Sequence, residues 1–272
     1  MRMVRRMMVS VLLAAGALNA AEIREGAQFV EGNGYTFNLV VNKGAPDLPT
    51  IILESGGGAD SRQWAQLQPQ LSEETHATVI SYDRPGFGKS PLPSKPYDIV
   101  AEADAFRQAV NSLGLGQHVV LVGSSYGGFL IQLWASRAPA TVKGLLFLDP
   151  NSPAAIMAMG ADLNPGENPN PKTPQQVAQA RVDHAGVARF VSVFANPLPL
   201  DVPVIVVSAG IPLFQDKRLA EVMRLSHELL AASTHRGKRV VAERSAHNIA
   251  ADRPDLVVAC VKELIAEPVP QN

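Results

Sequence analysis

Ser125 stands at the centre of Gly123-Ser124-Ser125-Tyr126-Gly127, a G-x-S-x-G spacing that can lift one hydroxyl above a sheet as a nucleophile. A serine hydroxyl is a poor nucleophile near neutral pH and needs a base within hydrogen-bond reach. Of the six histidines, His247 is the best placed. It follows the apolar run 238–242 by a few residues. If the strands are parallel, it emerges at the same carboxyl edge as Ser125, where open α/β sheets bind ligands. The others suit the task less well. His76 precedes a strand, His118 begins the serine strand, His184 falls in an irregular middle segment, and His227 and His235 lie on or after a surface-type helix.

The elements that must position these groups follow from hydrophobic periodicity. The run 119–122 (VVLV) leads into the serine turn, and residues 129–138 then have helical spacing. Residues 29–30 and 35–41 flank Gly32-Asn33-Gly34, a hairpin signal. Further strands are expected at 50–53, 78–82, 142–148, 202–207 and 238–242, and further helices at 61–71, 101–113, 175–194, 216–232 and 255–266. Strand alternating with helix implies a mostly parallel sheet of eight strands covered by helices on both faces. Between residues 151 and 200 the alternation breaks in a Pro-, Asn- and Ala-rich stretch. That stretch reads as a small cap inserted after the sixth strand, with the core formed by residues 22–150 and 201–272.

Composition narrows the function classes. A net charge of −1 over 272 residues offers no polyanion-binding surface, so nucleic acid is not an expected partner. Arg2, Arg5 and Arg6, an apolar run at 7–15 and small residues up to Ala21 have the layout of a secretory signal peptide. Export to the periplasm or medium is therefore expected, with no stable membrane span in the mature chain. Cys260 is the only cysteine and falls in an apolar helical pattern, so it reads as a small buried hydrophobe. There is no H-E-x-x-H and no cysteine pair to hold a metal, and no G-x-G-x-x-G to hold a dinucleotide. No cofactor is expected.

Four stretches in order resemble the landmarks of the α/β-hydrolase superfamily: LESGGGADSRQW (53–64), YDRPGFGKS (82–90), GSSYGG (123–128) and ERSAHNIAADRP (243–254). The resemblance runs from about Phe29 onward, apart from the cap. It implies the family's fold and a serine hydrolase acting through an acyl-enzyme, most simply a carboxylesterase on small or medium acyl substrates. A serine in the elbow, rather than an aspartate, argues against epoxide hydrolase or haloalkane dehalogenase chemistry. Lactonase, aminopeptidase, C–C hydrolase or acyltransferase activity would use the same residues, and a ligand-binding protein without turnover would keep the same fold. The resemblance makes Ser125 the nucleophile and His247 the base. Asp149, at the end of the sixth strand, is the expected acid, as in pancreatic-type lipases. Asp216, in the loop after the seventh strand, is the alternative, since that loop is the family's commoner site. The oxyanion donors implied are the amides of Tyr126 and Gly57, with Gly56 left open because Ser55 stands where the family usually has histidine. Asp83 and Arg84 precede the serine and are expected to fix neighbouring loops; Trp64 and Phe87 could line the pocket or belong to the core.

Overall fold

A computed structural model describes residues 23–151, 171–185, 197–199 and 201–267. The expected leader at 1–21 and most of the expected insertion lie outside the described residues. In chain order the elements are β1 (Gly26–Gly32), β2 (Tyr35–Asn42), β3 (Thr50–Glu54), α1 (Leu67–Thr75), β4 (Val79–Asp83), α2 (Ile99–Ser112), β5 (Val119–Ser124), α3 (Gly127–Arg137), β6 (Val142–Leu148), α4 (Pro174–His184), β7 (Val204–Ala209), α5 (Lys217–Ala232), β8 (Gly237–Ala242), α6 (Ile249–Asp252) and α7 (Pro254–Ala266).

The strands form one sheet in the order β1-β2-β4-β3-β5-β6-β7-β8. β2 runs antiparallel to both neighbours, and the pairings from β4 through β8 are parallel. Alternation along each buried strand feeds two cores. Ile52 and Leu121 pack on one face with Phe37, Tyr82 and Phe106. Ile51, Leu53, Val120 and Val122 pack on the other with Trp64, Leu67 and Val261. Such two-sided burial is why these strands read as unbroken apolar runs. Cys260 is buried in the second core, where burial pushes its thiol up to about 11. It is therefore an inert packing group.

Most boundaries shift by a few residues, and two helices depart further from expectation. The segment expected as one helix at 61–71 is a 3₁₀ turn, Ser61–Trp64, followed by α1. Asp60 caps the turn, and Trp64 is driven wholly into the core with its indole N–H on Ser55 Oγ at 2.9 Å. The helix expected at 175–194 is described over Pro174–His184, where Thr173 and Gln176 form a capping box. It lies on the core: Gln175 donates to the Gly58 carbonyl and Arg181 Nη1 to the Pro93 carbonyl. Among the described residues no helix is long and apolar enough to cross a membrane.

Beneath β3 and β4 the core holds charge. Glu54 and Glu102 are both buried, and Arg84 is the buried guanidinium that compensates them. Burial pushes Glu54 up to about 8, partly offset by the hydrogen bond from the Tyr82 hydroxyl and by Arg84. Burial likewise pushes Glu102 up to about 7, against the pull of Arg84. The folded chain thus holds protons that the unfolded glutamates, at their ordinary 4.5, have released. Stability from this source is full below about 4.5 and is lost as pH rises through about 7 to 8. Glu54→Gln keeps an acceptor for Tyr82 without the charge. Its melting temperature is expected to fall less between about pH 5 and about pH 9 than that of the wild type. An unchanged slope in thermal melts would assign the decline to other groups.

Candidate active site

The parallel register carries four loops to one rim. Glu54 pairs with Gly123, Ser124 with Leu148, and Ala209 with Ala242, so the chain leaves β3, β5, β6 and β8 at neighbouring points. Ser125 is the first residue past β5 and adopts φ +50°, the left-handed region that a β-carbon disfavours. The strain is held by hydrogen bonds on both sides: its amide donates to the Leu148 carbonyl at 3.0 Å, and its carbonyl accepts from Gly128 and Asn151. The flanking glycines are required by close approach. A β-carbon on Gly123 would stand 2.7 Å from the Gly127 carbonyl oxygen, and one on Gly127 would stand 2.3 Å from that of Glu54.

Asp149 is the first residue past β6 and also lies in the left-handed region, at φ +43°. Its Oδ2 is 2.6 Å from His247 Nδ1, and its Oδ1 accepts from the Ala209 amide at 2.9 Å. The aspartate side chain is 7% exposed and that of His247 is 31% exposed, so the imidazole reaches solvent while its partner does not. A carboxylate on Nδ1 fixes the ring with its proton there and leaves Nε2 as the acceptor facing outward. Asp216, the alternative acid, is engaged elsewhere: its carboxylate accepts from the Arg218 and Leu219 amides as the N-cap of α5. The loop bearing His247 is anchored by Asp252, which accepts from the Ala246 amide at 2.8 Å and the Ser245 hydroxyl at 3.2 Å. Asp252 ends α6, a single turn too short to leave a periodic signal.

Ser125 and His247 line one open cavity of about 580 Å³ with Gly56, Gly57, Gln63 and Asn248. At its wall the Gly56 amide donates to Gln63 Oε1 at 2.9 Å. Among the described residues the Gly57 amide has no hydrogen-bond partner. Gly57 abuts Tyr126: a β-carbon on the glycine would lie 3.7 Å from that of the tyrosine. Arg84 reaches the same loop from below, donating to the carbonyls of Ser55 and Gly56 at 2.8 Å each. Asp83 ties Asn38, Ser61 and Lys89 together. The loop-fixing role expected for Asp83 and Arg84 is thus visible in these bonds. Phe87 is buried with its ring under the Arg84 guanidinium, and Trp64 is core. Among the described residues no cluster of three metal-ligating side chains is present.

One neighbour contradicts the sequence reading. His227, expected on a surface helix, is 2% exposed and sits 4.0 Å from Asp149 Oδ1. Its Nε2 faces the Pro150 carbonyl and its Nδ1 faces the Ser208 hydroxyl, each at 2.9 Å. Burial lowers its pKa, outweighing the Pro150 bond and the nearby carboxylate. A carbonyl partner places the proton on Nε2, and Arg239 Nε on Ser208 Oγ leaves the hydroxyl free to donate to Nδ1. The neutral ring therefore packs beside Asp149 without competing for its charge.

Comparison with known proteins bears on the fold. Residues 49–198 match the family described as the alpha/beta hydrolase fold. Uncharacterized protein YqjL of Bacillus subtilis is 24% identical over 83% of this chain and 86% of its own length. The pimeloyl-[acyl-carrier protein] methyl ester esterase of Pseudoalteromonas atlantica is 34% identical, over 37% of this chain and 36% of its own. Apart from YqjL, the chain matches well under half the length of the first curated relatives. The crystal structure of a hydrolase from Pseudomonas aeruginosa superposes with a TM-score of 0.63 at 20% identity, covering 89% of this chain and 98% of that one.

Proposed function

Because the chain belongs to the alpha/beta-hydrolase family, we propose that it is a serine hydrolase cleaving carboxylic esters of small acyl substrates. The observation that carries this reading is the His247–Asp149 pair at 2.6 Å, buried on the acid side and opening on the cavity that Ser125 also lines. In the proposed cycle Ser125 Oγ attacks the ester carbonyl while His247 Nε2 takes its proton. Asp149 holds the Nδ1 proton and stabilises the imidazolium. The amides of Gly57 and Tyr126 receive the negative charge that develops on the carbonyl oxygen. His247 then protonates the leaving alkoxide, freeing the alcohol. Water, deprotonated by the same ring, attacks the acyl-enzyme, and collapse of the second tetrahedral species releases the carboxylic acid and restores Ser125.

The test joins a fluorophosphonate probe to a panel of p-nitrophenyl esters of increasing chain length, both applied to the chain beginning at residue 22. Stoichiometric labelling of Ser125 with ester turnover supports the reading. A folded protein that neither labels nor turns over would point to ligand binding without catalysis. Labelling without ester turnover would move the activity to a lactone, peptide or carbon–carbon bond. Export belongs to the same proposal, and N-terminal sequencing of the protein recovered from the cell envelope and medium tests it. An intact Met1 on all recovered protein would end it.

A further inference from the structure

We propose that Arg84 is the positioning residue of the oxyanion hole, setting the direction of the Gly57 N–H from beneath the loop. The inference rests on the serine-hydrolase reading and adds to it a group that touches neither substrate nor Ser125.

In a trans peptide the C=O and the following N–H lie in one rigid plane and point in opposite directions. The Gly56 carbonyl and the Gly57 N–H belong to the same unit, so whatever fixes one aims the other. Arg84 Nη2 holds the Gly56 carbonyl at 2.8 Å from the buried side. The Gly57 N–H therefore points away from the guanidinium, toward the cavity that Gly57 lines with Ser125. The preceding unit is held at both ends: its Ser55 carbonyl accepts from Arg84 Nη1 at 2.8 Å, and its Gly56 N–H donates to Gln63 Oε1 at 2.9 Å. Two consecutive planes in a run of three glycines are thus gripped by one planar fork, the Gly56 carbonyl also accepting a longer bond from the Ala59 amide at 3.3 Å. Otherwise such a run would have the widest conformational freedom in the chain.

The same guanidinium reaches the second donor. Its carbon lies 5.1 Å from the centroid of the Tyr126 ring and 5.0 Å from that of Phe87. One buried cation therefore touches both sides of the proposed oxyanion hole: the glycine loop through the Ser55 and Gly56 carbonyls, Tyr126 through its ring. Arg84 is 4% exposed, and its charge pulls the pKa values of the buried Glu54 and Glu102 carboxyls down against the opposing push of burial. A positive group bonded to the Gly56 carbonyl also polarises that peptide and strengthens its N–H as a donor. Lysine offers one ammonium where the two carbonyls need a fork, so it cannot hold both planes equally well.

The experiment compares wild type, Arg84→Met and Arg84→Lys in kcat and KM for p-nitrophenyl acetate and in Ki for a trifluoromethyl ketone, which mimics the tetrahedral oxyanion. Val261→Ala, a cavity in the apolar core on α7 that removes no hydrogen bond from the loop, serves as a control for lost stability. For Arg84→Met, kcat is expected to fall on the order of 10²-fold, the low end of the cost of removing an oxyanion donor. KM should move less than about threefold, and Ki should rise in step with the loss in kcat/KM. Arg84→Lys should recover part of both effects and carries the test alone if the methionine variant does not fold. Unchanged kcat and Ki in a folded Arg84 variant, or an equal kcat loss in Val261→Ala, would overturn the inference while leaving the hydrolase reading intact. A wild type that neither labels nor turns over would overturn both.

Discussion

Replacing Ser125 by alanine is expected to abolish fluorophosphonate labelling and to lower ester turnover by up to about 10⁶-fold, as for other serine nucleophiles. The loss comes from the missing Oγ alone. Alanine carries the same β-carbon into the left-handed conformation at φ +50°, so folding stability should hardly change. Ser125→Gly should also be inactive, but it relieves the backbone. A non-glycine residue held in that region costs about 1–3 kcal/mol, so the glycine variant should melt higher than the alanine variant. Thermal melts of the two proteins beside wild type separate the effects. Full activity in either variant would remove Ser125 from the chemistry. A glycine variant that melts lower than the alanine variant would refute the strain.

The second large effect belongs to the acid. Asp149→Asn is expected to lower kcat by about 10⁴-fold. An amide in place of the carboxylate can donate to His247 Nδ1, which moves the ring proton to Nε2 and removes the acceptor that Ser125 needs. Asp216→Asn should leave kcat unchanged and stability within a few tenths of a kcal/mol, because asparagine caps a helix about as well as aspartate. Steady-state assays of the two variants decide between them. Collapse of turnover in Asp216→Asn alone would transfer the acid role to the loop after β7.

Those two aspartates show where the sequence stopped being informative. Both follow a strand and precede His247, and nothing in their neighbours says which way a carboxylate points. The fold separates them: Asp149 turns at φ +43° onto His247, while the free amides at the start of α5 occupy Asp216. The oxyanion loop poses the same problem on a smaller scale. Gly56 and Gly57 are chemically identical, and the Gln63 side chain engages the amide of Gly56. The burial of His227 is hidden from the sequence for a different reason. Helix α5 buries Met223, Ser226, His227 and Ala231 while exposing Leu225 and Leu229, so its buried face is more polar than part of its outer one. Hydrophobic periodicity reads that helix rotated away from Asp149.

The sequence by itself determined the alternation of strand and helix, the serine turn, the rim on which His247 emerges and the core position of Cys260. These follow from local pattern: the apolar period, the glycines forced by close approach, and the run from strand to turn to helix. Only the tertiary structure decided which aspartate meets the imidazole, which glycine amide Gln63 engages, and that Arg84 grips the loop through its carbonyls. Those outcomes depend on side-chain direction and competition among hydrogen-bond partners far apart in the chain. Each donor or acceptor goes to whichever partner the fold brings within about 3 Å, and that distance is not written in either partner's neighbours.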